Sequence, residues 1–135
     1  HATRSLVKQG HPEVFKLLGY GENVALMPVA LSITPSHIAM GQVIEFEFCI
    51  HAMGDSVQAC VVDFAIDFVK SNGKTSRKVF KLKNIRLQPM EAVHFKKSFS
   101  FKKISTRQYY AGSHQLSILV NGNEVASQAF MLTTP

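Results

Sequence analysis

From Ile44 to Leu132 the apolar residues of this chain tend to recur at every second position, and a period of two admits strands and little else. Ile44, Phe46, Phe48 and Ile50 alternate with Glu45, Glu47 and Cys49, giving a strand with one apolar and one largely wet face. Cys60, Val62, Phe64, Ile66 and Phe68 share a face opposite Val61, Asp63, Ala65, Asp67 and Val69, the pattern of a long central strand. Phe80 and Leu82 alternate with Lys81 and Lys83. Val93, Phe95, Phe99 and Phe101 alternate with His94, Lys96, Ser98 and Ser100, and Lys97 alone interrupts the apolar face. Leu116, Ile118 and Val120 lead through Asn121-Gly122, a hairpin signal because both residues tolerate positive φ, into a strand from Val125 to Leu132. With Leu31 to Thr34 as an opening strand, there are about seven short strands, turn signals between them and no intervening helix. The expected fold is mainly β, an immunoglobulin-like antiparallel β-sandwich over residues 23–135. Ten Phe and no Trp make its core phenylalanine-rich, and Tyr109-Tyr110-Ala111-Gly112 has the form of a tyrosine corner.

Residues 1–22 differ in kind. Leu6 and Val7, then Val14, Phe15, Leu17 and Leu18, recur at helical spacing, Gly10 and Gly19 sit where C-terminal caps fall, and Pro12 suits a first turn. This predicts a short helical hairpin, neither helix long enough to stand alone, of the kind that ends a helical solenoid. The expected partner of its apolar faces is an upstream helical-repeat domain of the same chain, so the sequence reads as a fragment of a larger protein.

Parity fixes how the Phe68 and Phe80 strands join. A two-residue turn at Asn72-Gly73 sets Leu82 opposite Asp63 and mixes apolar with acidic residues on one face. A five-residue loop from Asn72 to Ser76 instead sets Phe68 opposite Phe80, Ile66 opposite Leu82 and Asp67 opposite Lys81. An odd loop is therefore expected, with Asp67 and Lys81 as an exposed cross-strand pair.

Charge is distributed unevenly along these strands. Between residues 70 and 107 lie twelve bases, Lys70, Lys74, Arg77, Lys78, Lys81, Lys83, Arg86, Lys96, Lys97, Lys102, Lys103 and Arg107, against the single acid Glu91. The rest of the chain has three bases against eight acids, so one region is built for an anionic partner, and double-stranded DNA, held by its backbone, is the first to expect. The competing explanation is that strand surfaces need solubilising charge and that lysine blocks edge-to-edge aggregation. Alternation turns Phe80, Phe95, Phe99 and Phe101 inward and Lys81, Lys83 and Lys96 outward, so phosphate contact fits a basic sheet face and base stacking does not.

Catalytic chemistry is absent by pattern. No Ser, Cys or Thr stands in a nucleophile motif, and the six histidines form no close pair and no zinc spacing. Asp63 and Asp67 lie about 13 Å apart along a strand, too far for paired carboxylate chemistry, and read as surface acids paired with lysines. The glycines form no phosphate loop. No metal, cofactor or small-molecule substrate is expected, and no enzyme activity within this chain. Cys49 and Cys60 suit buried reduced thiols in a cytoplasmic protein, and no apolar run reaches the 18 residues of a membrane span.

The segments His1-Ala-Thr-Arg-Ser-Leu-Val-Lys-Gln-Gly-His-Pro-Glu, Leu17-Leu-Gly-Tyr20, Val62-Asp-Phe with Phe68-Val-Lys-Ser-Asn-Gly-Lys-Thr-Ser76, Lys78-Val-Phe-Lys-Leu-Lys83, and Tyr109-Tyr-Ala-Gly-Ser-His114 through Val120-Asn-Gly122 resemble, in order and spacing, the C-terminal end of bacterial DNA alkylation repair proteins. The resemblance spans essentially the whole chain. It implies a parent with an N-terminal solenoid of HEAT-like repeats, which in relatives excises alkylated bases as a glycosylase, and makes residues 1–22 the last repeat. The base-handling aromatic and acidic residues of that family lie on its repeats, and no position here matches them, so no catalytic residue is carried over. The appended sandwich has an implied accessory role: holding DNA, closing the solenoid or docking a partner.

Overall fold

The computed structural model describes residues 25–102 and 108–133, and in these the chain forms eight strands: β1 (Leu31–Thr34), β2 (His37–Ala39), β3 (Val43–His51), β4 (Gln58–Val69), β5 (Thr75–Leu87), β6 (Ala92–Ser100), β7 (Gly112–Val120) and β8 (Asn123–Thr133). The helical hairpin expected over residues 1–22, and the bases Lys103 and Arg107, lie outside the described residues. The strands make two sheets, one of three in the order β1-β3-β6 and one of five in the order β2-β8-β7-β4-β5. All pairs are antiparallel except β2 with β8.

The period-two faces meet between the sheets as the sequence dictates. Ile44, Phe46, Phe48 and Ile50 of β3 face Cys60, Val62, Phe64 and Ile66 of β4 and Leu116 and Ile118 of β7 in one buried core. Phe46 and Phe64 touch across it with ring centroids 5.0 Å apart. β4 and β7 occupy the middle of the larger sheet and bury residues on both faces, which is why their sequences run apolar almost without a break. β2 is the element that alternation does not reveal. Three residues are too few to show a period, yet the chain leaves the smaller sheet after Thr34, joins the larger one and seats Ile38 in the core.

The β4–β5 hairpin has the odd loop that burial requires, and Phe68 and Phe80 share a face as expected. The register differs. Phe68 lies opposite Ser76 and not Phe80, Ile66 opposite Lys78 and not Leu82, and Asp67 opposite Arg77 and not Lys81. Parity constrains the register only to even shifts, and turn chemistry chooses among them. Gly73, at φ 81°, takes the left-handed position, its N–H donates to the Lys70 carbonyl at 3.0 Å, and the Lys70 N–H donates to the Lys74 carbonyl at 2.7 Å. The result is an odd turn centred two residues earlier than the one expected.

Further along, Asp63 faces Lys81 while Val62 faces Lys83, so Leu82 is an extra residue in β5 and the strand bulges. Past this bulge the inward positions change parity, to Ile85 and Leu87. At the β7–β8 turn, Asn121 and Gly122 both have positive φ, 50° and 82°, as the Asn-Gly signal predicts.

Candidate nucleic-acid interface

Ten of the twelve sequence-predicted bases can be placed, and they do not form one sheet face. Lys70 and Lys74 sit on the β4–β5 hairpin; Arg77, Lys78, Lys81, Lys83 and Arg86 on β5; Lys96 and Lys97 on β6; Lys102 just past β6. β5 is the edge of the larger sheet and β6 an edge of the smaller one. The two edges meet along one side of the sandwich, where the Phe80 and Phe99 rings touch at 5.3 Å, edge to face. The strand register then divides six of these bases into two groups of three.

The first group projects from the outer faces and is engaged by acids. Arg77 donates from Nε to Asp67 at 2.9 Å and from a terminal nitrogen to Glu124 at 3.3 Å. Its guanidinium is held above its ordinary pKa, chiefly by the Asp67 hydrogen bond. Lys96 pairs with Glu45 at 3.4 Å, and beside it His94 lies 3.3 Å from Glu47. Lys81 lies opposite Asp63. The exposed pairs of Arg77 and Lys96 each contribute less than about 1 kcal/mol.

The second group lies on the rim. Lys78 is opposite Ile66, Lys83 opposite Val62 and Lys97 opposite Phe46, all of them partners that face the core. These lysines stand at inward register positions of two edge strands, where the sandwich is open, and all three are exposed. Among the described residues no carboxylate pairs with them. Alternation assigned Lys83 to the outer face together with Lys81. The bulge at Leu82 moves it, and the parity change from Phe80 and Leu82 to Ile85 and Leu87 is the sequence signal that marks the shift. Lys97, which breaks the alternation of β6, is the matching lysine on the other edge.

Asp63 is the acid that sequence reading misplaced. It is 3% exposed, between Lys81 on one neighbouring strand and Leu119 on the other, and desolvation pushes its carboxyl up to about 6 while Lys81 pulls it down. It is a buried carboxylate on an outer face that Val61, Ala65 and Leu119 otherwise make apolar. A folded pKa above the ordinary value means that the native state holds the proton longer, so stability rises as pH falls from about 6 towards 4 and ionised Asp63 costs stability at neutral pH. Asp63→Asn is expected to stabilise the chain by about 1–3 kcal/mol at pH 7.5, and by much less at pH 4.5. Urea melts at the two pH values check this, and a less stable variant at pH 7.5 contradicts it.

Cys49, expected to be buried, is exposed on the wet face of β3, while Cys60 is buried in the core with its thiol pushed up to about 11 by desolvation. His114 belongs to the core as well. Its Nδ1 accepts from the Val69 N–H at 3.2 Å, which leaves the proton on Nε2 to donate to the Tyr110 carbonyl at 2.9 Å. Burial holds its pKa below the ordinary value. Among the described residues no cluster of His, Cys, Asp or Glu is arranged to hold a metal, and no helix is long and apolar enough to cross a membrane.

Comparison with known proteins places this geometry. The chain is 36% identical to the alkylpurine DNA glycosylase AlkC of Pseudomonas fluorescens, solved bound to DNA containing an abasic site analog, with a TM-score of 0.86 over 98% of this chain and 37% of that one. It is 35% identical over 132 residues to the protein YhaZ of Bacillus subtilis strain 168, covering 98% of this chain and 36% of the relative. It thus spans little more than a third of the length of either. A β-glucosidase of Listeria innocua, 14% identical with a TM-score of 0.62 over 84% of this chain and 17% of that one, shares the fold alone. Residues 28–134 match the family described as "Uncharacterised protein YhaZ, C-terminal Ig-like domain", and the chain belongs to that family, as a C-terminal region related to that of a DNA alkylation glycosylase.

Proposed function

We propose that this chain is the non-catalytic accessory end of a cytoplasmic DNA alkylation repair protein and that it holds duplex DNA by its phosphates without reading sequence. Catalysis then belongs to an upstream domain of helical repeats, whose last repeat is residues 1–22, with the sandwich occupying residues 23–135. The observation that carries the reading is the rim. Lys78, Lys83 and Lys97 line the β5–β6 edge with no acid paired to them among the described residues, while Arg77 and Lys96 on the outer faces are held by Asp67, Glu124 and Glu45. The DNA-bound state of AlkC, of which this chain resembles a part, agrees with it.

A second reading has its own support. Inward-pointing lysines on edge strands are a device that prevents sheets from joining edge to edge, so the sandwich can equally cap the repeats without touching DNA. Charge reversal separates the two. Lys83→Glu with Lys97→Glu is expected to weaken duplex binding at low salt by tenfold or more, while Lys81→Glu with Lys96→Glu changes it by less than about threefold. Equal losses from the two pairs, or no loss from either, favour the structural cap.

A further inference from the structure

At the hairpin end of the same side lies a cleft of about 390 Å³ that contains no carboxylate among its described lining residues. Lys70 and Ser71 enter it from the hairpin, Ser76 and Lys78 from β5, Tyr110 from the chain entering β7, and Phe68 forms an apolar wall. Ser76 and Lys78 lie on the same side of β5, opposite Phe68 and Ile66, about 7 Å apart along the strand. Arg77 also borders the cleft, with its guanidinium committed to Asp67 and Glu124. Two ammonium groups and two hydroxyls around an open cavity form a donor set for an oxyanion. The space exceeds what a bare anion fills and reaches the size at which pockets accept small organic ligands, about 300 Å³. Phe68, whose ring is packed against Phe99, Phe101, Tyr109 and His114, and Tyr110 are the aromatic residues of the lining, placed beside the remainder of such a ligand.

We infer that this cleft binds a nucleotide phosphate ester, with Lys70, Lys78, Ser71 and Ser76 taking the phosphate and Phe68 and Tyr110 flanking the attached nucleoside. A free nucleotide and a DNA strand present the same group. The DNA source rests on the proposed function above; the cleft does not. Deoxyadenosine monophosphate, titrated into the 135-residue chain and followed by amide chemical shifts, is expected to perturb residues 70–78 and 108–110 with millimolar affinity. Ser76→Asp, which sets a carboxylate among the phosphate donors at an exposed position, is expected to weaken this at least tenfold, and Lys70→Gln severalfold, the second guarding against a folding defect in the first. Lys83→Glu with Lys97→Glu leaves the mononucleotide bound. If Ser76→Asp weakens duplex binding as well, the ligand is the backbone; if it spares the duplex, the ligand is a free nucleotide. Shifts confined to other residues, or none up to roughly 10 mM ligand, overturn the cleft whether or not the duplex binds. A chain that binds mononucleotide but no duplex keeps the cleft and overturns the rim reading.

Discussion

Phe101→Ala is expected to destabilise the chain by about 3–5 kcal/mol, a large fraction of what a domain of this size has. Phe101 follows β6 and is fully buried, and its backbone extends the sheet, its N–H donating to Gln42 and its carbonyl accepting from Gly41. Its ring meets Tyr109 at 4.8 Å, Phe99 at 5.1 Å, Phe130 at 5.6 Å, His114 at 5.9 Å and Phe68 at 6.3 Å. Five rings thus lose a neighbour at once, and the strands that carry them cannot collapse into the space without breaking ladder hydrogen bonds. The cavity also weakens the seat of His114, whose neutral ring orients the chain between Tyr110 and Val69. Phe101→Leu, which keeps much of the volume, should cost less than half as much. Urea unfolding midpoints check both, and a loss below about 1 kcal/mol for the alanine variant contradicts the packing described.

Asn121→Ala is expected to cost about 3–6 kcal/mol for a different reason. The Asn121 side chain, fully buried, accepts from the Val61 N–H at 2.7 Å and donates to the Ala59 carbonyl at 3.1 Å, and its own N–H donates to the Val61 carbonyl at 2.9 Å. The residue thereby continues the β4–β7 ladder past its last backbone pair, Val62 with Val120. Removal of the amide orphans the buried Val61 N–H and the part-buried Ala59 carbonyl, at about 1–3 kcal/mol each, and alanine adds the strain of φ 50°. Asn121→Gly removes the same hydrogen bonds without that strain, so it should be less damaging by about 1 kcal/mol. Thermal or urea melts of the two variants settle it: equal losses, or a loss under 1 kcal/mol for alanine, sink the account.

Asn121 shows where a sequence is legible and where it is not. The hairpin could be read from Asn-Gly, because positive φ is a local property of two residues. The bonds to Ala59 and Val61 could not, since they depend on which strand lies beside β7. The strands themselves were legible because burial on one face imposes a period, and the core positions of β3 and β4 follow directly from it. The same argument yielded the odd β4–β5 loop but not its register, which Gly73 decides among even shifts that parity cannot distinguish. The basic segment was legible as composition and not as a surface. Sequence assigned its bases to one face, whereas strand register and the bulge at Leu82 divide them between the outer faces, where acids hold Arg77 and Lys96, and an open rim. Asp63 looked like a surface acid because alternation turns it outward, and only the packing of β4 between two neighbours withdraws it from water.

The central claim, that the rim of this sandwich holds DNA by its phosphates, is tested most directly by the salt dependence of duplex binding. Each phosphate neutralised releases condensed counterions, so the slope of log K against log salt counts the contacts at about −0.9 apiece. If Lys78, Lys83 and Lys97 each contact a phosphate, the chain should show a slope near −3 or steeper, independent of sequence, and Lys83→Gln with Lys97→Gln should make it shallower by about 2. A slope unchanged by that pair, or a chain with no measurable duplex affinity at low salt, contradicts the claim and leaves the lysines as edge protection.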